Sequence, residues 1–272
     1  MVVETAPDSL RLYFRYAAVQ LRAQMQYPAS FWMMTVSFFL GMALEFAGIV
    51  ILFHRFGTLR GWTLPEIAML YSIMGIGIAL AEGIGRGFDT FPALIKSGDF
   101  DRLLLRPRST VLQVLGTDMQ LMRAGRLLQA LVILAWAVRV LPIEWTLPKC
   151  ALLLLAMMGA TCVFGGLFVL QATFCFWTIE GLEIWNAVTY GGNETAQYPL
   201  TVYRPWFRRF FTWVVPLACA NYLPLGAILG RPDPLGAPPA VQWCAPLVGI
   251  LFLLACLRVW RLGVRHYTST GS

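Results

Sequence analysis

The sequence predicts an all-α integral membrane protein with six transmembrane helices, in one transmembrane domain covering residues 1–272. Three observations predict it. Of 272 residues, 58% are hydrophobic and only 13% charged, where soluble domains average about 45–50% and about 25%. A soluble core of this length cannot hide such an excess from water, because the surface still demands a polar coat; mean hydropathy is +0.66. The apolar residues also gather into runs of bilayer length, and the basic residues are distributed asymmetrically between those runs.

Composition excludes several other classes. Low charge and 14% aromatic residues exclude a disordered chain. The formal charge of +7 reads as basic loops facing anionic headgroups rather than as a footprint for nucleic acid. Six cysteines form no Cys-x-x-Cys pair and lie in or near apolar runs, so they read as small buried hydrophobes. No cleavable signal peptide is visible.

The first element is Ser9–Gln26. Arg11, Arg15 and Arg22 fall on one helical face, and Leu10, Phe14, Ala17 and Leu21 on another. That pattern predicts a basic amphipathic helix lying in the interface plane, with membrane lipids as its partner. Tyr27-Pro28 breaks it, since the residue before proline is pushed out of the helical region. The chain therefore enters its first span through an elbow. The spans are predicted at Phe31–Phe53, Ile67–Gly85, Leu127–Leu141, Cys150–Trp177, Phe210–Leu229 and Trp243–Trp260. The third is short and is expected to continue a helix that begins near Ser109. Pro216 and Pro224 interrupt the fifth.

With the N-terminus inside, sixteen Lys and Arg residues fall on the cytoplasmic side and five outside, Arg204, Arg208 and Arg209 being counted inside. Both termini are therefore expected in the cytoplasm. Within the second span, Gly75, Ala79, Gly83 and Gly87 recur at every fourth position. Such a ridge lets helix backbones approach, either within this chain or against a second subunit.

Between spans two and three, the segment from Ser97 to Arg108 carries its own signals. Gly98 stops one helix, Asp99 caps the next, and Pro107 ends it. A two-turn helix results, charged on one side and leucine-rich on the other. It either rests on headgroups or docks a cytoplasmic partner. Near the opposite face, Pro216, Asn221, Tyr222, Pro224 and Gly226 at membrane depth fit a helix that breaks and re-enters from outside; irregular backbone survives there only when buried in protein or lining a cavity.

Catalytic chemistry is not legible. A P-loop needs Gly-Lys-Ser/Thr, and the only lysines, Lys96 and Lys149, follow Ile95 and Pro148. His54 and His266 stand at opposite faces, so no metal or nucleophile constellation assembles around them. Asn193-Glu194-Thr195 matches a glycosylation sequon but falls on the inner side of this topology. Of the acids, Glu45 lies at mid-depth and reads as structural or cavity-lining. Glu82 lies one turn before Arg86, so an i,i+4 pair is its simplest explanation. Glu180 and Glu183 follow the fourth span at the inner interface.

Gly98-Asp99-Phe100-Asp101-Arg102-Leu103-Leu104-Leu105-Arg106-Pro107, then Gln197-Tyr198-Pro199-Leu200, Pro216 with Asn221-Tyr222-Leu223-Pro224, and the tail from Trp260 to Ser272 occur in an order that resembles the permease subunit of type-2 ABC transporters, and more closely a bacterial branch of ABC permeases of mostly unassigned substrate. The resemblance covers essentially the whole chain. It implies an ATP-driven exporter in the bacterial inner membrane, built from two permease chains, identical or homologous, and a cytoplasmic ATPase dimer. ATP and magnesium would be bound by that partner, and this chain would bind no cofactor. The short helix becomes a coupling helix, its role falling on Asp99, Asp101, Arg102, Arg106 and Pro107. The broken hairpin around Asn221–Gly226 becomes an external gate. An apolar lining favours an amphiphilic substrate. The alternative, a proton- or ion-coupled secondary transporter working through Glu45, expects inverted repeats, and none is convincing between the two halves.

Overall fold

The structure, a computed structural model, describes residues 6–178, 182–231, 233 and 236–268. Glu180, the Glu183 side chain, Pro232, Pro234 and the closing Ser269-Thr270-Gly271-Ser272 lie outside the described residues. In chain order the helices are α1 (Ala6–Gln24), α2 (Pro28–Phe56), α3 (Leu64–Asp89), α4 (Phe91–Lys96), α5 (Asp99–Leu104), α6 (Thr110–Leu115) and α7 (Ala124–Val140). There follow α8 (Leu147–Phe174), α9 (Leu182–Ala196), α10 (Pro205–Arg209), α11 (Leu217–Ala220), α12 (Tyr222–Leu229), α13 (Pro239–Cys244) and α14 (Pro246–His266). Five helical stretches among the described residues are long and apolar enough to cross a membrane: α2, α3 with α4, α7 with its preceding turn, α8 and α14. A bent pair, Pro205–Val214 with Leu217–Leu229, makes a sixth if counted as one span.

Local chemistry sets the helix starts. Pro28 and Pro65 occupy first-turn positions, where a missing N–H costs nothing. The Glu66 carboxylate accepts from the Thr63 backbone N–H at 2.8 Å and from its hydroxyl at 2.9 Å, closing the first turn of α3. Gly98 separates α4 from α5 at φ +72°, a left-handed value that a side chain resists.

α3 is the axis of the molecule, buried along most of its length. α7 and α8 pack against it, α14 packs against α8, and α2 lies on α7. Close approaches occur where side chains vanish. A Cβ on Gly77 would collide with Ala160, and one on Gly249 with the Gly159 carbonyl. Dispersion contacts between such backbones hold membrane helices where lipid offers no hydrophobic drive.

Four expectations change. The helix expected from Ser109 is interrupted between α6 and the turn Leu121–Arg123, because Gly116 is pressed onto the Tyr16 ring of α1 and α6 leans on Gly87. α1 turns Tyr13, Tyr16, Ala17, Gln20 and Gln24 toward the protein, leaving Phe14 and Leu21 exposed. Gln20 donates to the Thr117 carbonyl at 3.2 Å, and Gln24 accepts from the Leu121 N–H at 3.1 Å. A third face is thus the docked one, and the basic face of Arg11, Arg15 and Arg22 stays exposed along with Phe14 and Leu21, as an interfacial helix requires. Third, α5 buries Phe100 and Leu103 but exposes Leu104 and Leu105, so its leucines do not share a face.

The fourth concerns Phe210–Leu229. It is not one straight helix: a π turn over Phe210–Val214 and the break at Val215-Pro216 bend it by 73°. Nor does it begin at the α5 end of the bundle. The Tyr190 hydroxyl on α9 meets Arg86 and Asp89 at the last turn of α3, whereas the Ala196 carbonyl shares the Asn221 amide with Leu70, near the first turns of α3. α9 therefore carries the chain along α3 to the end opposite α5. Arg204, Arg208 and Arg209 follow it there, which leaves thirteen basic residues at the α5 end against eight. The asymmetry survives in weaker form.

Candidate functional site

At the α5 end, Phe100 sits in an aromatic box. Its ring lies 5.0 Å from Phe91, 5.1 Å from Tyr267 and 5.6 Å from Phe176, while Trp260 stands 5.0 Å from both Phe88 and Phe91. Edge-to-face geometry of this kind adds about 0.5–1.5 kcal/mol per pair beyond burial. The Trp260 indole N–H donates to the Thr110 hydroxyl at 3.2 Å, and the Gln113 amide donates to the Leu103 and Arg108 carbonyls, both at 3.1 Å. The last turns of α3, α8 and α14 thus form a rigid seat for α5. The Phe100→Ala variant should lose about 3–5 kcal/mol of stability, read as thermal unfolding in detergent.

The outer side of α5 is free for contact. Arg102 pairs with Asp99 at 3.2 Å with its side chain 81% exposed, so the pair adds at most about 1 kcal/mol to folding. Leu105 is 85% exposed, and Arg106 and Pro107 are exposed beside it. Asp101 is half-buried and faces Tyr267; burial, then that carboxylate, pushes the Tyr267 hydroxyl above its ordinary pKa.

Glu82 proves to be a hub of which the expected i,i+4 pair with Arg86 is the longest contact. Its carboxylate, wholly buried, is held by Arg123 and by Arg126 at 3.0 Å, and it accepts from Tyr190 at 3.2 Å; Arg86 is the distant partner at 3.9 Å and pairs instead with Asp89. Four elements meet there. The sequence held no signal for Arg123 and Arg126 as partners, being 41 and 44 residues away.

Along the small-residue ridge, a Cβ on Gly75 would lie 3.2 Å from the Ala130 side chain of α7, and one on Gly87 would collide with the Val114 carbonyl. Gly83 has open space, and with Ala79 it lines a cavity of about 240 Å³ bounded by Tyr13, Ala17 and Leu127. Glu45 on α2 lies near Glu194 of α9 and Gln197 just after it.

At the opposite end the second arm of the hairpin is buried, with Pro216, Asn221, Tyr222, Pro224 and Gly226 all inside, while Trp206, Trp213 and Val214 of the first arm are exposed. Asn221 donates to the Ala196 carbonyl at 2.7 Å and to the Leu70 carbonyl at 3.3 Å. Tyr222 lies 5.7 Å from the Trp62 ring, over which Arg231 stacks at 4.6 Å. Arg231 also pairs with Glu66 at 2.7 Å and donates to the Gly61 carbonyl at 3.1 Å. Trp62, Glu66 and Arg231 thus clasp the hairpin to the start of α3, a role the sequence did not disclose. Among the described residues no three His, Cys, Asp or Glu side chains gather as a metal site.

Residues 39–271 match the family described as ABC-2 family transporter protein. No curated protein and no solved structure gives a significant match. The match covers most of the chain, and the chain belongs to the ABC-2 family of transporter proteins as a multi-pass membrane subunit.

Proposed function

We propose that this chain is the permease subunit of an ATP-driven exporter in a bacterial inner membrane, forming half of a translocation pathway for an amphiphilic substrate. A second permease chain, identical or homologous, completes the pathway, and a cytoplasmic ATPase dimer binds ATP and magnesium. The observation that carries the reading is α5: an exposed charged edge, Asp99, Arg102 and Arg106 with Leu105, on a packed aromatic seat. A helix so mounted transmits a push instead of absorbing it, because its base cannot give without breaking ring contacts. The thirteen basic residues at that end support placing it, and both termini, in the cytoplasm. α9 then makes the fifth crossing, and the hairpin α10–α12 acts as the external gate.

The test is co-purification from native membranes under mild solubilisation. An ATPase subunit should accompany the wild-type chain in stoichiometric amount. Replacing Asp101 and Arg102 together with alanine should reduce ATPase retention and ATP-driven transport while the chain still inserts and folds, the lost contact between Asp101 and Tyr267 lowering stability by about 1–3 kcal/mol. Full retention and full transport in that variant would overturn the docking role of α5.

A further inference from the structure

At the α5 end, a polar cavity of about 420 Å³ lies among α3, α4, α8 and α9, lined by Arg86, Asp89, Thr90, Gln171, Asn186 and Tyr190. Cavities of about 300–1,000 Å³ are the size that holds small ligands. The charges in its wall are spent on one another. Arg86 is ion-paired with Asp89 and donates to the Tyr190 hydroxyl at 3.2 Å, and that hydroxyl lies 3.3 Å from the same carboxylate. The hydrogen-bonding capacity is not spent. Gln171, only 2% exposed, donates its amide N–H to the Asp89 carboxylate at 3.3 Å. An ionised carboxylate only accepts, so this contact fixes which way the amide points. Its Oε1 is then the free end, buried and without a donor among the described residues. The Arg86 Nε–H is likewise buried and without an acceptor. Buried polar groups are normally satisfied, and each exception calls for a partner. Asn186 is exposed at the rim, so a ligand has a way in. Beyond it, the same face of α9 carries Thr189 and Asn193, 0% and 4% exposed, whose Oγ1 and Oδ1 are also buried and unpartnered.

We propose that this cavity binds the neutral, hydroxyl-rich headgroup of an amphiphile that this subunit carries. A hydroxyl donates and accepts at one atom, so it meets the Gln171 oxygen and the Arg86 N–H alike. A charged headgroup fits less well, since the one cation and the one carboxylate of the lining already neutralise each other and offer no spare counter-charge. In the orientation proposed above, the cavity stands at the inner headgroup level, where the tail of such a molecule stays in lipid. This inference rests on the transporter reading and names its substrate class.

The test uses the complex purified with its ATPase, in nanodiscs of zwitterionic lipid, with radiolabelled n-octyl β-D-glucoside as probe and empty nanodiscs as blank. Tetraethylene glycol monooctyl ether, with the same tail and a neutral headgroup bearing one hydroxyl, is the control; octyltrimethylammonium and octyl phosphate test charge. The glucoside should bind saturably and at least about tenfold more tightly than any of the three. Gln171→Met should erase about that margin while leaving ether binding and ATPase retention unchanged. Asn186→Ala, at an exposed position, should weaken the glucoside about threefold and decides the matter if the Gln171 variant fails to fold. Equal affinity for glucoside and ether, tighter binding of either charged probe, no saturable binding, or wild-type affinity in the folded variants would overturn the proposal. If the ATPase co-purifies and the glucoside shows no preference, the headgroup site fails and the transporter reading stands. If no ATPase co-purifies, that reading fails, and the same titration on the chain alone decides the headgroup site.

Discussion

Replacing Glu82 with alanine is expected to lower stability by about 3–5 kcal/mol. Glu82 is wholly buried and faces Arg123 and Arg126, whose side chains are 16% and 18% exposed. Removing the acid leaves two guanidinium groups desolvated and uncompensated, with Tyr190 deprived of an acceptor. The loss is one of unpaired charge rather than of a favourable bond. Concerted replacement separates the two: Glu82→Leu with Arg123→Met and Arg126→Met removes every member and should recover most of the thermal stability. If the single and triple variants unfold at the same temperature, packing rather than charge governs the site. The hub joins α3, the start of α7 and α9, so the single variant should also loosen α9, seen as faster backbone hydrogen exchange over Leu182–Ala196.

The second large effect is expected at Asn221. Among the described residues its amide is the only side chain bonded to the Ala196 carbonyl, and it reaches Leu70 as well. Asn221→Leu keeps the volume roughly and removes both donors, for a cost of about 1–3 kcal/mol. The consequence is local, because the hairpin loses its tie to α3 and α9 together. Cys219, two residues away and buried, is a native reporter. Maleimide labelling of Cys219, resolved by peptide mass from the exposed Cys150 and Cys244, should accelerate at least about tenfold in the variant. An unchanged labelling rate would mean that the clasp of Trp62, Glu66 and Arg231 holds the hairpin without Asn221.

These two sites differ in how far the sequence disclosed them. Asn221 stood out because a polar residue between Pro216 and Pro224, inside an apolar run, conflicts with a simple span. Glu82 stood out as an intramembrane acid, but its assigned partner was the neighbour one turn away. The closer partners lie across a 41-residue excursion through α4, α5 and α6, a distance at which helical periodicity carries no information. α9 escaped notice for a related reason: Asn186, Thr189, Asn193 and Glu194 lower its hydropathy below that of a lipid-facing span. Thr189 and Asn193 are buried where the helix packs on α3 and α8, while Asn186 and Glu194 are exposed in the single chain.

What the sequence determined alone is the set of elements that water and lipid impose locally. Apolar runs of bilayer length became α2, α3, α7, α8 and α14, since a helix satisfies its backbone polar groups within a single run of that length. Pro28 ended the elbow, and Gly98 with Pro107 bounded α5, because backbone sterics act over a few residues. What only tertiary structure decided is which faces met: the Gln20 and Gln24 face of α1 on the segment after α6, Phe100 in its aromatic box, Glu82 among distant arginines, and the 73° bend of the hairpin. In a bilayer the apolar faces are nearly equivalent, so small residues, buried charges and unpaired carbonyls select the partners, and these act only once the helices lie side by side.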